Sequence, residues 1–252
     1  MSGSIKHERN VAHVAPLLVF MLVLMLPQIL EMVGFAIDNK YMPWFRREPE
    51  QWIYPLQTMI GLGILARYWK HYEFKPITMK GTVIATVMAV IGIAFWIAPG
   101  HFFRTAGIGE GLPKFLGFEE RVDGFDPSFI REHSVFWHSM AIFMRFVRMV
   151  VAVALVEEIF WRGFLMRFLL NPDGNYWKQP FGKFSWLSFG VVTVAFMLAH
   201  APVDWGSAII YGVLTYGVAV WTKSLWACVW MHAVANLLLG IYTLSTEQWG
   251  YW

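Results

Sequence analysis

Val156-Glu157-Glu158-Ile159-Phe160-Trp161-Arg162 sets three ionisable side chains inside one of the most apolar parts of the chain. Met149 to Val156 carries no charge, and Gly163 to Met166 and Phe168 to Leu170 are apolar again. A carboxylate within a membrane helix is costly to keep, so it marks a functional site rather than decoration. On a helix, Glu158 and Arg162 stand at i and i+4 and can pair along one face. Glu157 points about 100° away from Glu158 and has no such local partner. One carboxylate is expected to be neutralised locally while the other is left available.

The surrounding composition supports the membrane reading. Of 252 residues, 57% are hydrophobic and 15% charged, against about 25% charged in an ordinary soluble domain. Long apolar runs then place the chain in the multi-spanning class. The net charge of +3 comes from basic residues that mostly flank those runs, where they serve as interface anchors and not as a nucleic-acid surface. The single cysteine, Cys228, excludes an intramolecular disulfide. The run from Val14 to Leu26 continues toward Gly34 and reads as a span rather than a cleaved leader.

Working outward, the spacing predicts a polar, frayed start over Met1 to Asn10, then a span from Val11 to Phe35 bent at Pro27. Two further spans follow, Trp52 to Trp69 and Thr82 to Ala98, the latter ended by Pro99-Gly100. The long polar segment from His101 to Ser134, with Phe102, Phe103, Phe115, Phe118, Phe125 and Phe129, is expected to lie on the membrane surface or cap a cavity. A short interfacial helix and an irregular lid are equally compatible with it. Helical pattern then runs from Phe129 to Leu170, with Ser134 to Met144 along the interface and a crossing from about Phe146 to Leu169. At 1.5 Å per residue this puts Glu157 about 14 Å below Arg148, near the midplane. Phe184 to His200, Trp205 to Trp221 and Leu225 to Leu244 complete the chain. The expected fold is an all-α polytopic membrane helix bundle of seven transmembrane helices, or eight if the long segment re-enters. It forms one membrane domain over 1–252, with N-terminal spans and loop to 134 and a catalytic core over 135–245. With the N-terminus inside, ten Lys and Arg lie inside and seven outside, the latter including Lys40, a weak bias in the usual direction.

Two later spans carry further polar residues. His200 ends one span just before Ala201-Pro202, and His232 and Asn236 sit at i and i+4 within another. Each alone has a plain structural reading: an ion pair clamping a helix, an interfacial histidine, hydrogen-bond glue between helices. Together, Glu157, Glu158, Arg162, His200, His232 and Asn236 suggest hydrolysis. A carboxylate and a histidine converging on one water make a general-base pair. A second histidine with an asparagine can donate to the oxyanion of a tetrahedral intermediate. The same atoms could ligate zinc, but the HExxH arrangement of zinc peptidases is absent.

Three motifs in order on successive spans, Glu157-Glu158 with Arg162, Phe196 with His200, and His232 with Asn236, resemble the CPBP family. These are the CAAX proteases and bacteriocin-processing enzymes, also called the type II CAAX prenyl endopeptidase or ABI family. The resemblance covers about Val150 to Leu239. It implies a glutamate-dependent intramembrane endopeptidase with no cofactor and no catalytic metal. Glu157 would be the general base, His200 would position the attacking water, and His232 and Asn236 would form the oxyanion hole. Glu158 and Arg162 would orient the site. The implied partners are the lipid bilayer and a peptide or protein substrate, which in the type II CAAX peptidase is prenylated. The implied location is a prokaryotic inner membrane. Some relatives are thought of as immunity or scaffold proteins, so a non-catalytic role and a zinc-dependent protease stand as the alternatives. Tyr54-Pro55-Leu56-Gln57 and Arg67 to Glu73 faintly resemble an exosortase-associated subgroup.

Overall fold

The computed structural model describes residues 3–37, 41–121, 124 and 126–252. Lys40 and Phe125 lie outside the described residues. Among those described there is no strand, and seven long helices follow one another. They are α1 (Gly3–Leu24), α2 (Glu50–Arg67), α3 (Met79–Ala106), α4 (Val135–Phe168), α5 (Trp186–Leu198), α6 (Trp205–Thr222) and α7 (Leu225–Thr246). Five helical runs are long and apolar enough to cross a membrane: Lys6–Met32, Met79–Ala106, Val135–Phe168, Pro202–Thr222 and Leu225–Thr246. The protein is an all-helical integral membrane protein.

One proline marks a break between helices, and two others lie inside helices that continue. α1 stops at Leu24 and helix resumes over Leu26–Met32, with Pro27 in its first turn, the bend expected there. Pro99, by contrast, does not end its span. α3 continues to Ala106 and closes on Gly107 in the left-handed region at φ 63°. Proline at position 99 cannot donate to the carbonyl of Phe95. The hydroxyl of Ser207 on α6 donates to that carbonyl instead, at 3.3 Å. The same device rescues Pro16 within α1, where the Tyr72 phenol donates to the Ala12 carbonyl at 2.9 Å. In a membrane, a freed backbone carbonyl needs such a partner from within the protein. The start of the chain also differs from expectation: α1 begins at Gly3, so the polar residues up to Asn10 are helical rather than frayed.

The long polar segment is shorter than expected because α3 runs to Ala106. It combines both expected forms, an irregular stretch with a 3-10 turn at Lys114–Leu116 and then a short helix at Ser128–His133.

The chain divides into two compact units, residues 1–72 with 125–156, and 73–124 with 157–252. In the first, α1 packs on α2, and α2 packs on residues 135–153 of α4. Buried Gln57 joins these elements: its amide donates to the Phe20 carbonyl at 2.7 Å, and its oxygen accepts from Arg148 Nε at 2.7 Å. The Arg145 and Arg148 guanidiniums lie over the Tyr54 ring at 4.8 and 4.6 Å.

In the second unit α3, α6 and α7 pack together and α5 packs on α6. The polar segment is strapped to this unit at Arg121. Its guanidinium donates to Asp204 at 2.6 Å and to the Tyr251 hydroxyl at 2.9 Å, and it covers the Tyr251 ring at 4.2 Å. Burial pushes the Tyr251 phenol above the usual tyrosine range.

α4 departs from α geometry in two places. Val147–Val153 and Ile159–Leu165 are π-helical and flank an α-helical Ala154–Glu158. Wider turns of this kind are rare and tend to fall at functional sites.

Candidate functional site

All six polar residues singled out in the sequence fall in the second unit. Glu157 and Glu158 end the α-helical stretch of α4, and Arg162 lies in the π turn that follows. Glu158 and Arg162 are both fully buried, and the i,i+4 pair forms as expected, Arg162 Nη1 donating to Glu158 Oε1 at 3.0 Å. The Arg162 guanidinium also lies over the Phe196 ring of α5 at 4.9 Å.

Glu158 has a second partner that spacing alone could not give. His232 on α7 lies with Nδ1 2.9 Å from the same Oε1. Arg162 only donates, and a carboxylate paired with it only accepts, so the His232 Nδ1 carries the hydrogen. Glu158 thus ties α4 to α7 and fixes the His232 ring through one nitrogen. This is the usual way in which a neighbouring group sets the orientation and tautomer of a histidine.

Glu157 is placed differently. Its side chain is half-buried, and its Oε2 atom is enclosed without a hydrogen bond from any described residue. The two adjacent carboxylates therefore differ in their partners: Glu158 accepts from Arg162 and His232 through Oε1 while its Oε2 is enclosed without a hydrogen bond, and Glu157 has no hydrogen-bond partner among the described residues.

His200 follows the end of α5, half-buried, with Nδ1 2.8 Å from the Phe196 carbonyl and its own carbonyl accepting from Trp205 Nε1 at 3.1 Å. A backbone carbonyl only accepts, so Nδ1 carries the hydrogen and Nε2 is the nitrogen left to act. α5 has 13 residues, about 20 Å at 1.5 Å per residue, against the roughly 30 Å of a bilayer core. The helix is therefore shorter than a full crossing, and His200 lies just beyond its end. Asn236 stands one helical turn beyond His232, half-buried on α7.

An aromatic layer that no sequence motif signals links the two histidines. Trp96 of α3 meets His200 edge-on at 5.4 Å and Tyr211 at 6.0 Å. Phe196 meets His200 at 4.6 Å and stacks on Tyr211 at 6.2 Å. Tyr211 in turn meets His232 at 5.7 Å. The two histidines are thus linked through rings on α3, α5 and α6. In sequence, Tyr211 is one more aromatic in an apolar run.

The described residues contain no group of three His, Cys, Asp or Glu side chains that could hold a metal ion. The engaged and available carboxylates, with two histidines each fixed through Nδ1, suit proton transfer to and from a water or a carbonyl.

Residues 139–238 match the family model described as type II CAAX prenyl endopeptidase Rce1-like. No curated protein and no solved structure matches the chain. The matched segment contains Glu157, Glu158, Arg162, His200, His232 and Asn236. Residues 139–238 are thus similar to type II CAAX prenyl endopeptidases of the Rce1-like kind, and this match supports the resemblance to the CAAX protease (CPBP) family.

Proposed function

We propose that the protein is an intramembrane endopeptidase that hydrolyses a peptide bond near the C-terminus, or in the membrane-embedded part, of a protein substrate. The family points to a protease, a protein substrate and a lipid environment; the glutamate mechanism is our reading. The observation that carries it is the division of labour between the paired carboxylates. Glu158 is taken up through Oε1 by Arg162 and His232, while Glu157, half-buried, has no hydrogen-bond partner among the described residues.

In this reading Glu157 accepts a proton from water as the water oxygen attacks the scissile carbonyl, and His200 holds that water through Nε2. The C–O bond forms and the carbonyl electrons move to the oxygen. His232 Nε2 and the Asn236 amide donate to that oxyanion. For His232 to do so while Nδ1 donates to Glu158, the ring must hold both protons, and the Glu158 carboxylate is the countercharge that form requires. The intermediate collapses, the C–N bond breaks, and Glu157 returns its proton to the leaving amine. A carboxylic acid and an amine result, and the acid loses its remaining proton to solvent on release. A site sheltered from bulk water strengthens each of these electrostatic contributions. No cofactor or metal enters this scheme.

α2 and α5, added to the five clear spans, make seven crossings, with the short α5 delivering His200 to the depth of Glu157. Residues 135–245 form the catalytic core of a single membrane domain. The substrate is delivered in the membrane, prenylated as in the family's type enzyme, and the membrane is a prokaryotic inner membrane. Cleavage of prenylated and unprenylated membrane peptides by the purified protein, with Glu157→Gln alongside, tests the scheme. Equal cleavage by the variant would refute it.

A further inference from the structure

We infer that Tyr211 is a further catalytic residue, its phenol donating a third hydrogen bond to the oxyanion beside His232 and Asn236. The inference rests on the hydrolytic reading above and adds a residue that the three motifs do not contain.

Tyr211 is 3% exposed, yet its hydroxyl has no hydrogen-bond partner among the described residues. A buried, unpaired hydroxyl costs free energy, so its presence in a well-packed layer calls for a reason. The ring is firmly placed. It stacks on Phe196, meets Trp96 and His232 edge-on, and lies against Gly92 of α3. A β-carbon at position 92 would stand 2.7 Å from the Tyr211 ring, so the glycine is what makes room for it. The layer thus holds the Tyr211 ring edge-on against the His232 ring. A polar tip with no use in the fold therefore sits among the groups assigned to the reaction.

The chemistry narrows the role. A phenol carries a hydrogen throughout the neutral range, so it cannot serve as the base and can serve as a donor. The step that needs a donor is formation of the tetrahedral oxyanion. Because the hydroxyl is unpaired before the reaction, its bond to the oxyanion is gained only as charge develops, which is how an interaction lowers a barrier rather than merely tightening binding.

The test compares wild type, Tyr211→Phe and Glu157→Gln as full-length protein in detergent, on the same cleaved membrane peptide. Tyr211→Phe is expected to lose about 10- to 1,000-fold in kcat with KM within about two-fold, the pattern of an interaction made only in the transition state. Its thermal midpoint should equal or exceed that of wild type, because the change removes an unpaired polar atom and keeps the ring. A purely structural tyrosine gives the opposite pair of results. Wild-type kcat in Tyr211→Phe with an inactive Glu157→Gln would overturn the Tyr211 assignment and leave the glutamate reading standing. A fall of several degrees in the midpoint would show that the hydroxyl is engaged in the fold, and overturns the assignment without any substrate. Full activity in Glu157→Gln would overturn the underlying reading, and with it the oxyanion role of Tyr211.

Discussion

Each compact unit keeps charged side chains inside apolar helices, and they do so by different means. In the first, Arg145 and Arg148 lie against the Tyr54 ring, and Arg148 donates to the neutral amide of Gln57. Aromatic faces and a carboxamide hold cations well but have little proton chemistry to offer. In the second, a buried carboxylate accepts from both an arginine and a histidine, and a second carboxylate stands next to it. The first arrangement secures helices. The second combines groups that give, take and hold protons.

The largest contrast should appear in activity. Glu157→Gln removes the proposed base and is expected to lower kcat by about 100- to 10,000-fold, whereas Arg148→Met should leave kcat within about two-fold. An equal effect of the two on cleavage would break the distinction between the units.

The next effect is on stability. Arg162→Met leaves Glu158 buried with only His232 to meet its charge, and should cost about 3–5 kcal/mol, read as a lowered unfolding midpoint in detergent. Glu158→Gln should also release the His232 ring, lowering kcat together with stability. Arg148→Met is expected to cost less, about 1.5–3 kcal/mol for a hydrogen bond involving a charged group.

Smaller effects come from the rescued prolines. Ser207→Ala orphans the Phe95 carbonyl beneath Pro99 and should cost about 1–3 kcal/mol, with α3 fraying beyond Pro99 as read by hydrogen exchange. Tyr72→Phe does the same at Ala12. Tyr72 adds a pH signature: burial pushes its phenol well above the ordinary value. Its folded-state value is raised, so its contribution is full below the unfolded value near pH 10. Above that, the unfolded chain ionises while folded Tyr72 does not, and the stabilisation is lost as pH climbs toward the folded value. A denaturation midpoint followed through the alkaline range should therefore fall less steeply in Tyr72→Phe than in wild type.

How far the sequence could be read follows from the range of each interaction. The pairing of Glu158 with Arg162 depends on helical spacing, and it is present. The bend at Pro27 and the order of helices are local in the same sense. Pro99 misled because its rescue comes from Ser207, over a hundred residues later in the chain. The bond from His232 to Glu158 spans 74 positions and turns an apparent helix clamp into a link between α4 and α7. The π turns around Ala154–Glu158 carry no composition signal. Tyr211 was invisible for a different reason: only packing against Gly92, Trp96, Phe196 and His232 distinguishes its hydroxyl from that of any aromatic near a membrane.

The most direct measurement is cleavage of a membrane-peptide library by purified wild-type protein and by Glu157→Gln, each with and without EDTA. The account predicts cleavage by wild type in both conditions and none by the variant, with cut sites that define the substrate. Cleavage that survives in Glu157→Gln, or that EDTA abolishes in wild type, would contradict a metal-independent reaction driven by Glu157.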